Sequence, residues 1–73
     1  MSDADILLRA RQAAELHTRA VRDMEQFVDD FAGTPDAAVL AEYASLLARE
    51  EATRTGRQEM LAALGLEAPS VEP

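Results

Sequence analysis

The residues able to do chemistry in this chain are few. His17 is the only histidine, and it falls on a row of otherwise apolar positions. Its plain role there is structural, a ring in a core with its nitrogens bonded. A sharper role pairs it with Glu50 across the molecule, as a hydrogen-bonded and pH-sensitive contact. Metal binding would need more ligands than one His and scattered carboxylates. Helical bundles that hold two metal ions place a Glu three residues before the His, and that position is Ala14. Glu50 and Glu51 are adjacent, so on a helix they point about 100° apart and cannot serve one site as acid and base. The chain has no Cys, hence no thiolate nucleophile, disulfide or zinc–thiolate site. No Ser adjoins the His, and no glycine-rich loop is present to cradle phosphate. The expectation is a protein that is not an enzyme and carries neither metal nor cofactor.

The remaining charge forms two candidate surfaces for a partner. Asp29 and Asp30 fall near the end of the first helical stretch, where the helix dipole disfavours acids, and Asp36 joins them across a turn. They are either a solvated tip, with Asp36 serving the next helix, or an acidic knob for a basic partner. Arg49, Arg54 and Arg57 with Glu50 and Glu51 form a mixed-charge patch among small residues, read either as a solvated face or as a docking surface. Glu15 with Arg19, and Glu50 with Arg54, stand four apart in the favourable order, so part of this charge supports the helices themselves.

The overall balance narrows the partners further. Fourteen acids face seven bases, for a formal charge of −7, and every base is Arg. Such a chain is expected not to bind duplex nucleic acid, whose affinity comes from cationic side chains displacing counterions. The opening "MSDADILLRARQ" has neither a basic start nor a sustained apolar run, which predicts no secretion signal and no membrane span. A cytoplasmic protein is expected, native to its cell or brought in by a phage or plasmid.

Two helices must position these residues. Ser2, followed by Asp3 and Asp5, reads as an N-cap with acids in the first turn. Leu7, Ala10, Ala14, His17, Val21, Met24, Val28 and Phe31 then recur every three or four residues. A flanking row of Ile6, Ala13, Ala20 and Phe27 widens the stripe, predicting a helix over about 3–32. "AGTPDA" ends it, with Gly33 at a left-handed stop, Thr34 as the next cap and Pro35 in the next first turn. The second helix is expected over about 35–64, closed by Gly65 in a Schellman-type stop with Leu66 making the usual apolar contact. Residues 67–73, with two prolines and no periodicity, read as a disordered tail after a single hairpin unit, 1–66.

A short connection makes the helices antiparallel. Phe31 placed across from Asp36 sets Val28 on Val39, Met24 on Tyr43, Val21 on Leu46, His17 on Glu50, Ala14 on Thr53, Ala10 on Arg57 and Leu7 on Met60. The polar stretch Ala48 to Glu59 thus lies against alanines, whose methyls long polar stems can cover. Inside it, Gly56 predicts either a bend near Thr55 or a close approach by another backbone. One seam leaves apolar surface wet on both helices, around Leu8, Leu16, Leu40, Leu47 and Leu61. The fold class is therefore an all-α antiparallel hairpin that dimerises into a four-helix bundle.

In shape, this acidic helical hairpin dimer resembles the plasmid RNA-binding Rop family; no motif is shared. The resemblance implies an RNA regulator whose arginines share one face of the dimer. Arg9, Arg11, Arg19 and Arg22 would have to form it, yet they spread around the helix with acids between them. A protein-binding module that docks on a larger protein as regulator, inhibitor or adaptor therefore ranks first. Its docking surface is read as the polar stretch, because Arg54 and Arg57 interrupt the apolar row and Arg suits interfaces. A purely structural, self-assembling bundle is the third reading.

Overall fold

Ser2 opens the chain's first helix from an extended backbone (φ −78°, ψ 160°), its Oγ accepting from the Asp5 N–H at 3.2 Å. That satisfies one of the donors a helix start leaves free, and Asp3 and Asp5 add the favourable charge. The structure, a computed structural model, describes residues 2–66. The tail at 67–73 lies outside them. Among the described residues the elements are two α-helices, α1 (Asp3–Asp30) and α2 (Ala37–Ala63), packed side by side as a hairpin.

The connection differs from expectation in its details. α1 stops at Asp30, and its last turn carries acids and no base to answer the dipole. Phe31 leaves in an extended conformation (φ −69°, ψ 129°). Gly33 does take a left-handed conformation (φ +97°), but beyond the helix end, where it turns the chain around. The cap of α2 is Asp36 and not Thr34, so Pro35 stands outside the first turn. Asp36 Oδ1 accepts from the Val39 N–H at 2.9 Å. An ionised carboxylate both fills that site and complements the dipole, which a threonine hydroxyl does only in part.

At the far end, Gly65 (φ +78°) donates to the Ala62 carbonyl at 2.9 Å and Leu66 to the Leu61 carbonyl at 2.8 Å. These are the two bonds of a Schellman stop. The apolar contact expected of Leu66 is slight, for its side chain remains largely exposed.

The seam uses the row that the sequence made secondary. Ile6, Ala13, Ala20 and Phe27, interleaved with Ala10, His17 and Met24, line the seam of α1; Ala14 and Val21 beside them are part-shielded, while Leu7 and Val28 stay 42% and 61% exposed. Their spacing alternates four and three, the heptad pattern of two helices running along each other. On α2 the shielded positions include Val39, Leu46, Glu50, Thr53 and Met60. The expected register holds at His17 and Glu50, and other contacts depart from it. Phe27 lies against Tyr43, their ring centroids 6.0 Å apart, where Met24 was expected. Arg57 reaches His17 and not Ala10. Seating the alanine row on α2 lets two methyls close the gap: Ala10 and Ala20 keep 5% and 1% of their surface.

Gly56 neither breaks α2 nor meets another part of the chain. The helix runs unbroken through it, and nothing lies within 4 Å of where its Cβ would stand.

The two possible caps give a direct check. Asp36→Ala should lower stability by about 1 kcal/mol in a thermal or urea melt, whereas Thr34→Ala should change it by less than about 0.5 kcal/mol.

Candidate functional site

A polar layer crosses the hairpin where alanine leaves room for it. Glu50 and Thr53 come from the inner face of α2, His17 from α1, and Arg54 and Arg57 from the flank of α2. Thr53 is self-contained: its hydroxyl bonds the Arg49 carbonyl at 2.8 Å and the Glu50 carbonyl at 3.1 Å. His17 is held from both sides. Arg57 Nη1 lies 3.2 Å from its Nδ1, and Glu50 Oε2 lies 3.7 Å from its Nε2. Arginine only donates, so Nδ1 is the acceptor and the neutral ring carries its proton on Nε2, toward Glu50.

The expected His17–Glu50 pair is therefore close but is not a hydrogen bond. Its distance is that of an ion pair, formed when the ring is protonated. The two side chains are 14% and 16% exposed. The second neighbour of Glu50 is Arg54, whose Nε stands 3.8 Å from Oε2. Oε2 is shielded from solvent and takes no hydrogen bond. A shielded acceptor left without a donor is unfavourable, by about 1–3 kcal/mol in general.

Other candidate residues lie apart from this layer. Arg49 turns to the opposite flank and pairs with Asp23, both about half exposed, a contact worth about 0–1 kcal/mol. The sequence reading missed Asp23. Its signal was the heptad position, since Asp23 and Arg49 take the same flanking place on antiparallel helices. Glu51 is exposed. The acidic tip divides as well: Asp36 is engaged in capping α2, Asp30 Oδ2 accepts from Gln26 Nε2 at 2.8 Å, and Asp29 stays exposed.

The heptad register gives the hairpin two unlike faces. On one, Leu7, Ala14, Val21 and Val28 of α1 adjoin Leu40, Leu47, Arg54 and Leu61 of α2. Shallow depressions there join Val21, Val28 and Tyr43 in one place and His17, Arg57 and Leu61 in another. The other face carries Leu16, Asp23 and Asp30 of α1 and Glu42 and Arg49 of α2, with the Arg49–Asp23 pair across them. The five leucines expected to form one leftover stripe are thus divided. Leu40, Leu47 and Leu61 share the apolar face, Leu16 belongs to the charged one, and Leu8 points away from the seam, as about 100° per residue requires.

Among the described residues, no group of three or more His, Asp or Glu is placed to hold a metal ion. No described helix is long and apolar enough to cross a membrane.

The arginine bond to His17 is open to measurement. Nitrogen-15 spectra of the neutral ring should show the Nε2–H tautomer, and Arg57→Ala should lower its share toward that of a free imidazole. An unchanged tautomer balance in the variant would show that Arg57 does not direct the ring.

No protein-family model matches this chain, no curated protein matches it, and no solved structure matches it.

Proposed function

We infer that this chain is a non-enzymatic protein-binding module that works as a homodimeric four-helix bundle and docks on a larger protein as a regulator, inhibitor or adaptor. The observation that carries the reading is incomplete burial. The two buried residues described are both alanine, while large apolar side chains such as Leu7, Val28 and Leu40 remain in solvent on one face. Apolar residues at the two seam positions and at one flanking position of each heptad suit the core of a bundle, more than a lone pair of helices needs. Supporting the non-enzymatic part, the Nδ1 lone pair of the single histidine already accepts from Arg57, which leaves no free base on the ring.

If the apolar face is taken up by self-association, the surfaces left for a larger partner are the charged face, with Asp23, Glu42 and Arg49, and the tip with Asp29 and Asp30. The net charge of −7 favours a basic partner surface and disfavours duplex nucleic acid. An acidic, cofactor-free helical module fits a phage or plasmid origin, and a cytoplasmic site of action accords with the sequence. Sedimentation at micromolar concentration tests the reading and should give about twice the chain mass. A monomer with a cooperative melt would overturn it. In the source cell, Asp29→Lys with Asp30→Lys should lose the larger partner while the dimer stays intact.

A further inference from the structure

The polar cluster lies midway along the apolar face. On α1 the row runs from Leu7 to Val28, and on α2 from Leu40 to Leu61, with large apolar side chains at both ends of each. Halfway between the ends stand His17, Glu50 and Arg54. Within one hairpin this cluster is not closed. Glu50 Oε2 is shielded yet takes no hydrogen bond, and its neighbours at 3.7 and 3.8 Å are beyond bonding reach. Arg54 is 50% exposed and approaches Glu50 through Nε, and among the described residues its two terminal nitrogens bond to no acceptor.

We propose that the occupant of this face is a second copy of the chain, related by a twofold axis through the cluster, and that Arg54 of each copy donates to Glu50 of the other. The inference rests on the homodimer reading above and specifies its interface. The layout of the face is what selects a second copy. Rotation about an axis at mid-length lays the apolar ends of one face on the apolar ends of the other and brings cluster onto cluster. A carboxylate that keeps 16% of its side-chain surface and is short of donors, and a half-exposed base beside it, both near the axis, are complementary to themselves. Two equal arginine–carboxylate contacts result, as an interface between identical surfaces demands. An unrelated partner would need its own acid and base at the same spot between two apolar bands.

The order of the residues also sets the role of the exchange. A slide of one copy along the other by a turn or more would leave each Glu50 facing apolar side chains. The contact therefore selects one alignment among several that bury similar apolar area.

Charge reversal tests this without removing the apolar face. Arg54→Glu makes the cluster predominantly acidic, and Glu50→Arg makes it wholly basic. Each variant alone should dimerise at least about tenfold more weakly than the wild type in sedimentation equilibrium. Mixed in equal amounts, the two should recover a one-to-one dimer, since an acidic cluster then meets a basic one. Arg54→Gln, which removes the charge and the guanidinium but stays polar, should weaken the dimer in the same direction and guards against a reversal that simply unfolds the hairpin. A wild-type dimer with all variants equally tight, or a mixture no tighter than its components, overturns the exchange and leaves the dimer standing. A monomeric wild type removes both and leaves the face to a different protein.

Discussion

Alanine on the inner row of α1 governs this hairpin, because it fixes how little each helix has to offer the other. A buried methyl removes a small apolar area from water, and burial is worth about 25 cal/mol per Å². Ala10 and Ala20 are well shielded, but they replace the leucines that would otherwise supply most of the cohesion. The larger contacts move to the ends. Phe27, Phe31 and Tyr43 cluster near the loop, with ring centroids 6.0 and 6.5 Å apart, and Met60, Leu61 and Leu64 take the open end. Between them the helices are bridged by side chains whose apolar stems lie over methyls and whose heads carry charge.

That middle layer costs stability and gives alignment. Partly buried charge is a weak source of stability, since desolvation offsets most of the attraction. Its value is positional. His17 of α1 meets both Glu50 and Arg57 of α2, so sliding either helix by a turn would take the ring away from both. Apolar side chains at the two ends tolerate such a slide far better, because burial has no direction.

Much of the fold was legible in the sequence because helices announce themselves by period and by cap. The stripe from Ile6 to Phe31, Ser2 at the start and Gly65 at the end are all local signals. The proximity of His17 and Glu50 could be read as well, since it follows from antiparallel helices and a short loop. What escaped was rotation. Two apolar rows lay side by side on α1, and the choice between them depends on whether alanine or leucine should face a helix with glutamate at its centre. Periodicity is nearly the same for both rows. The cap at Asp36 escaped for a related reason, as Thr34 and Asp36 are both good caps and only the course of the loop decides between them.

Gly56 carries a consequence for motion. An open glycine in mid-helix, with no neighbour to profit from its missing side chain, costs its helix about 1 kcal/mol relative to alanine. Beyond it, one short run of α2 remains before the stop at Gly65, anchored by Met60, Leu61 and Leu64. That run is a small cooperative unit, free to open while the aromatic end stays closed. Amide protons past Gly56 should therefore exchange faster than those near Leu46, and a partner covering the open end of the hairpin should slow them. Hydrogen exchange thus reads occupancy of that end separately from global unfolding.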